Sequence, residues 1–190
     1  MVAAHLVGMS LGGYVAQIAA LKYPNRVLTL TLIASEPLGI EYQGEGIAPE
    51  FMEHFAGMGD LDWSDREAVT RFLLRISELS AGSVVPFDHH APVGRIEREL
   101  RRTSSMQSAF NHAMVGGELA PGMTAEALDL PVLVVHGSED PIISVAAART
   151  TAGAVAGSQL LILEGRGHEL LEQDVGQIAA AVLRLAERPS

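Results

Sequence analysis

An α/β fold, a parallel sheet interrupted by a helical insertion, is the class that this sequence predicts, and three observations predict it. Short apolar runs with little alternation, such as VLTLTLIA and LPVLVVHG, suit parallel strands covered on both faces by helices. Strand and helix patterns alternate at both ends of the chain. Between the ends, from about residue 36 to residue 128, no strand pattern stands out and helical spacing takes over. With 190 residues, 48 % apolar and 19 % charged, the chain has the composition of a globular domain and the length to bury a sizeable core.

The elements follow in order. AAHLV is a strand that runs into GMSLGG, and a helix starts near Leu11 and stops before Pro24, a residue that cannot continue it. VLTLTLIA, rich in β-branched residues, is the second strand, Val27 to Ala34. In the insertion, SDREAVTRFLLRISELS places Val69, Phe72, Leu73, Ile76 and Leu79 at helical spacing, and Ser64 with Glu67 reads as an S-x-x-E capping box. GRIERELRRTSSMQSAFNHAMV predicts one broken helix or two. Glycine and proline punctuate the segment at Gly57, Gly59, Gly82, Pro86, Pro92, Gly116, Gly117 and Pro121. LPVLVVHG is then a buried strand ending at Gly137, SVAAARTTAGAV a helix, SQLLILEG a strand and DVGQIAAAVLRLAER a closing amphipathic helix. The expected organisation is a core of residues 1–35 and 129–190 carrying residues 36–128 as a helical cap.

Charge and composition narrow the function. The formal net charge is -10, and Lys22 is the one lysine among thirteen basic residues, which argues against nucleic acid or an anionic membrane as the main partner. Cysteine is absent, so thiol nucleophiles, disulfides and cysteine metal sites are excluded. No apolar run reaches the ~18 residues of a membrane span. The first residues lack the basic stretch and small-residue cleavage site of a signal peptide. The expectation is a soluble cytoplasmic protein.

The chemistry centres on GMSLGG, where Gly8, Ser10 and Gly12 form a G-x-S-x-G motif extended by Gly13. The pentapeptide alone says little; its context, a strand entering and a helix leaving, says more. So tight a reversal strains the central residue and needs small neighbours. It leaves the serine hydroxyl clear at the carboxyl end of the strand, beside the free N–H groups of a helix N-terminus. The G-x-G-x-x-G spacing of a dinucleotide loop and the G-K-[ST] ending of a phosphate loop are both missing.

A serine nucleophile needs a base, and the base an orienting acid. Among seven histidines, His168 has the best setting, in the turn GRGHE after the strand LLILE, where Gly165 and Gly167 leave the loop free to aim an imidazole. His136, at the end of a strand, is the nearest rival. His5 and His112 fall inside elements, His54 in the helical insertion, and the adjacent His89 and His90 read as solvated. For the acid, Asp140 in HGSEDPI lies just past a strand end, where sites gather in open α/β sheets. Glu36 in ASEPLG is its rival, and the neighbouring Glu139 would point elsewhere if Asp140 points inward. The order Ser, Asp, His along the chain is the one expected of a nucleophile elbow in such a sheet.

With these residues in place the chain resembles the α/β-hydrolase superfamily, on HLVGMSLGG, LPVLVVHGSEDPI and LLILEGRGHEL in family order. More loosely, GSVVPFDHH and the helices after it resemble the cap of aclacinomycin methylesterase-like hydrolases. The resemblance implies an α/β-hydrolase-type sheet, a Ser10–His168–Asp140 triad and a helical cap from about Glu36 to Leu128. It also implies hydrolysis of a small-molecule carboxylic ester through an acyl-enzyme, with the backbone N–H of Leu11 as an oxyanion donor and with no cofactor or metal. Phe51, Met52, Phe55, Trp63 and Phe87 are available to line a pocket, although packing within the cap accounts for most of them. Perhydrolysis and carbon–carbon bond hydrolysis would use the same triad, whereas dehalogenation would need a carboxylate in place of Ser10. Family members carry several strands and helices, and a second oxyanion donor, before the nucleophile strand. Here that strand comes first, so the sequence reads as the later part of a longer hydrolase or as one completed by another chain. An open sheet edge is then expected, fit for homo-oligomers, and an impaired fragment acting as an association module is the alternative from a different class.

Overall fold

Four strands hydrogen-bond side by side in the order in which the chain makes them, all parallel: β1 (Ala4–Met9), β2 (Val27–Ile33), β3 (Val132–Gly137) and β4 (Gln159–Leu163). The computed structural model describes residues 2–84 and 86–187, so Met1, Val85 of the GSVVPFDHH stretch and residues 188–190 lie outside it. Because the strands are parallel, each connection returns over a face of the sheet. Helix α1 (Leu11–Lys22) joins β1 to β2 and α5 (Val145–Ala154) joins β3 to β4. Both pack on one face, where Ala16, Ala20 and Ala148 meet Leu30, Leu32, Val132 and Val134. Helix α6 (Glu172–Ala186) covers the other face, laying Ile178, Ala181 and Leu185 against Ile33, Leu133, Val135 and Leu163. Successive strand residues feed opposite faces, which is why β3 reads as an unbroken apolar run, whereas β2 buries Thr29 and Thr31 in alternation with Leu30 and Leu32.

β1 and β2 are tied along their length, from Ala4 opposite Val27 to Met9 opposite Ile33, with one irregularity between Ala4 and His5. All four strands end at the same edge, and the loops leaving β1, β3 and β4 therefore gather there. That edge positions the candidate site.

Between β2 and β3 the chain makes α2 (Pro49–Ala56), α3 (Arg66–Ser80) and α4 (Val93–Arg102), linked by 3₁₀ turns, with no strand among the described residues. Their interior is aromatic: Phe72 and Phe110 lie 6.1 Å apart between centroids, Trp63 and Phe55 approach both, and His54 stacks on Phe72 at 4.3 Å. Phe51 joins by stacking on Phe55. Most of the aromatics available for a pocket are thus spent on packing; Phe87 stands apart, edge-on to His89. The ends of the insertion belong to the main core, since Leu38, Ala125 and Leu128 are buried with β2 and β3.

One local expectation is corrected and another made more exact. The N-cap of α3 is Asp65 rather than Ser64: its carboxylate accepts the N–H groups of Glu67 and Ala68 at 2.9 and 3.0 Å, whereas Ser64 bonds back to Asp62. Aspartate and serine compete as caps, and the carboxylate also meets the positive end of the helix. The second half of GRIERELRRTSSMQSAFNHAMV is a 3₁₀ run, Gln107–Met114, because Thr103, Ser105 and Ser108 satisfy one another and the backbone locally and stop α4 at Arg102.

Candidate active site

Ser10 sits between the last residue of β1 and the first of α1 with φ 53° and ψ -126°, a left-handed conformation that costs a non-glycine residue about 1–3 kcal/mol. Its N–H donates to the Ile33 carbonyl (2.8 Å), and its carbonyl accepts from Gly13 and Tyr14, so both of its neighbours are fixed. The glycines around it differ in what they do. A Cβ on Gly8 would strike the backbone of Gly12, and one on Gly13 would come within 2.7 Å of the Ser35 side chain. Nothing described lies within 4 Å of where a Cβ on Gly12 would be. The tight approach is therefore made by Gly8 and Gly13 rather than by the motif's last glycine. The N–H of Leu11, first in α1, has no intrahelical acceptor and lies beside the serine.

Gln17, fully buried in α1, holds the next loop in place: its Oε1 accepts the Leu38 N–H (3.0 Å) and its amide donates to the Glu36 carbonyl (2.9 Å). A lone glutamine in an otherwise apolar helix was the sequence signal for this tie. The Glu36 side chain points to solvent and accepts from the Tyr42 hydroxyl, so the rival acid does not reach a histidine. Tyr42 is pushed up to about 12 by burial, reinforced by the charge and hydrogen bond of Glu36 and by the charge of Asp140.

Asp140 and His168 come together. His168 Nδ1 lies 2.7 Å from Asp140 Oδ2, and Asp140 Oδ1 accepts the N–H groups of Ile142 and Ile143, each at 2.9 Å. The carboxylate is fully buried, which works to raise its pKa. The adjacent His136 N–H, the His168 hydrogen bond and charge, and the Ile143 N–H outweigh burial and hold the group well below the ordinary carboxylate range. The carboxylate fixes His168 with Nδ1 as donor, leaving Nε2 to accept a proton.

His136 is a support for the acid and not a base. Wholly buried, it donates from Nε2 to the Ile143 carbonyl (2.7 Å) and lies 3.3 Å from Asp140 Oδ2, while its Nδ1 has no described partner. His5 bonds Thr29, His54 packs in the aromatic cluster, and His89, His90 and His112 are exposed. Among the described residues no hydrogen bond joins Ser10 to His168, and no cluster of three or more His, Asp or Glu side chains is placed to hold a metal ion.

The loop carrying His168 is braced from three sides. Arg166 makes a largely buried, two-pronged ion pair with Asp174 at the start of α6 (2.6 and 3.1 Å). Ser138 Oγ accepts the Gly165 N–H (2.8 Å), and Arg95 of α4 pairs with Glu169. Sequence reasoning gave Gly165 and Gly167 the task of loop freedom. Gly165 does take φ 67°, but a Cβ on Gly167 would strike the Ser80 carbonyl, so that glycine serves close packing.

Comparison with known proteins shows the family of this fold. A family model described as alpha/beta hydrolase fold matches residues 3–175. Rhodomycin D methylesterase DnrP of Streptomyces peucetius is 27 % identical over 195 residues, covering 95 % of this chain and 65 % of that protein. A pimeloyl-[acyl-carrier protein] methyl ester esterase of Neisseria meningitidis is 29 % identical over 168 residues, covering 87 % of this chain and 62 % of its own length. The esterase RhEst1 from Rhodococcus sp. superposes with a TM-score of 0.72 at 19 % identity, over 98 % of this chain and 66 % of that one. The chain thus spans between half and about two thirds of the length of the curated relatives that it matches. On the family match and the parallel sheet together, the chain belongs to the α/β-hydrolase fold family.

Proposed function

We propose that this chain carries the catalytic machinery of a serine ester hydrolase, with Ser10 as nucleophile, His168 as general base and Asp140 as the acid that orients it. The observation that carries the reading is the strained Ser10, held in a left-handed conformation at the strand edge where the Asp140–His168 pair also lies. Ser10 Oγ attacks the ester carbonyl while His168 Nε2 takes its proton, and the Leu11 N–H receives the oxyanion. Collapse of the tetrahedral adduct breaks the ester C–O bond, and His168 returns the proton to the departing alkoxide. Water then attacks the acyl-Ser10 ester by the same route and releases the acid. Two of the relatives are named methylesterase or methyl ester esterase, so a carboxylic methyl ester, releasing methanol, is the substrate class to try first.

The test is labelling by a fluorophosphonate read by intact mass, with hydrolysis of a methyl ester panel followed by methanol release. One phosphonyl adduct, lost in both Ser10→Ala and His168→Ala, is the expected result. A folded chain that stays unlabelled, or that is labelled equally after Ser10→Ala, overturns it.

A further inference from the structure

The chain leaving α3 crosses over the loop that carries His168, and the two are bonded at every step. Glu169 and Gly167 donate their N–H groups to the carbonyls of Ser80 (3.2 Å) and Ala81 (3.3 Å). In return Ser83 and Val84 both donate to the Gly165 carbonyl, at 3.0 and 3.1 Å. Glycine makes the approach feasible on both sides. A Cβ on Gly82, which has φ 80°, would strike the Gly165 carbonyl. From beneath, a Cβ on Gly137 at the end of β3 would strike the carbonyls of Arg166 and Gly167. The base loop is thus held between the sheet edge and a strap, residues 80–84, that belongs to the helical insertion.

The far end of the strap is fastened by Glu139, the neighbour of Asp140. Its Oε2 accepts the Ser83 N–H (2.8 Å) and its Oε1 the Ser83 hydroxyl (2.7 Å), while its own N–H donates to the Arg166 carbonyl (2.9 Å). One residue therefore joins three segments: from the acid loop, the Glu139 side chain fastens the strap and its backbone N–H bonds the base loop. The contact is charge-assisted and two-pronged, stronger than a neutral pair, yet both residues are exposed, so it opens without unfolding the core. The missing Cβ atoms only allow the approach; the strap is fastened by its backbone hydrogen bonds to residues 165–169 and, at its far end, by the Glu139–Ser83 contact.

We propose that Glu139 is a positioning residue which, through Ser83, holds the strap on the base loop, so that docking of the helical insertion and placement of His168 form one equilibrium. The proposal takes from the preceding section the reading of His168 as the base. It follows that a movement of the insertion at its α3 end is transmitted to His168 through backbone hydrogen bonds.

Hydrogen exchange of the whole chain, followed by mass spectrometry, tests this in the wild type, Glu139→Gln, Ser83→Ala and the double variant, alongside fluorophosphonate labelling rates. Glu139→Gln is expected to speed exchange about tenfold in both residues 80–84 and residues 165–169, the effect of losing one charge-assisted contact on a local opening. Labelling of Ser10 slows by a similar factor while the urea midpoint stays where it was. Ser83→Ala behaves alike, the double variant is no worse than either single one, and Ser83→Thr, which keeps the hydroxyl and the N–H, matches the wild type. Faster exchange in residues 80–84 alone, in neither segment, or throughout the chain with a lowered midpoint overturns the proposal, as does additivity of the two substitutions. A wild type that is never labelled, yet shows the coupled exchange, would sink the serine-hydrolase reading and leave the strap standing; labelling with unchanged exchange would do the reverse.

Discussion

At the scale of single residues the site turns on one buried carboxylate. Asp140 takes two backbone N–H groups on one oxygen and His168 on the other, with His136 close by. Asp140→Asn keeps the shape but offers Nδ1 of His168 an amide in place of a charge, so the imidazole loses both its tautomer and its orientation. Labelling of Ser10 is expected to slow by roughly 10⁴, as when a triad aspartate is neutralised; a loss below about tenfold would remove Asp140 from the role. The same carboxylate marks stability. Its folded-state pKa lies below the ordinary value, so its contribution is complete above about pH 4 and is lost as pH falls below that toward the depressed value. Urea midpoints at about pH 6 and about pH 3 should therefore diverge more for the wild type than for Asp140→Asn, and parallel losses would show that the group is not a linkage site. The places of Ser10, Asp140 and His168 in the fold were legible because each follows the carboxyl end of a strand within a few residues, with glycine nearby. His136 and Glu139 were not, since their tasks depend on what the folded chain brings against them: Ile143 and Asp140 in one case, Ser83 in the other.

At the scale of elements, strands and helices were legible wherever burial decides them. β2, β3 and α6 follow from apolar runs and amphipathic spacing that no local alternative disturbs. What the pattern misjudged was decided by short polar side chains near the backbone. The cap of α3 is a choice between two adjacent residues that both suit the task, and Asp62 draws Ser64 away from it. Asp65→Ala should cost about 1 kcal/mol in urea unfolding, whereas Ser64→Ala should stay within ~0.5 kcal/mol; the reverse ranking would restore the capping box. The elbow offers a sharper contrast. Gly8→Ala pushes a methyl into the backbone of Gly12, which no rotamer change can relieve, whereas Gly12→Ala meets nothing described within 4 Å. The first substitution is expected to destabilise by about 1–3 kcal/mol and to slow Ser10 labelling, because the strand–helix reversal must open. The second should leave the fold intact, and equal losses at the two positions would contradict the packing.

At the scale of the whole molecule, the described sheet ends in two edge strands, β1 and β4, and β1 is the one beside the Ser10 turn. Among the described residues β1 pairs with β2 alone, and α6 packs chiefly on β2 and β3, with Met9 at the end of β1 against the same cluster. Val7, where α6 leaves that face bare, is 55 % exposed, and Val15 on the outer side of α1 is equally exposed. An edge strand with free N–H and C=O groups and apolar flanks is a template for another strand. Two copies brought together about a twofold axis would pair β1 with β1 in antiparallel fashion and join the two sheets into one. The net charge of -10 opposes this encounter, and salt screens the repulsion over about 10 Å at 0.1 M. Self-association should therefore rise with both protein concentration and ionic strength, the opposite of an interface held by ion pairs. Sedimentation velocity at low and high salt reads both dependences. Val7→Lys places a charge on the open strand without touching the Ser10 turn, and it should shift the distribution to monomer while leaving Ser10 labelling unchanged. If the chain is monomeric at every salt and concentration, or if Val7→Lys associates as the wild type does, the β1 edge is not the surface through which copies meet.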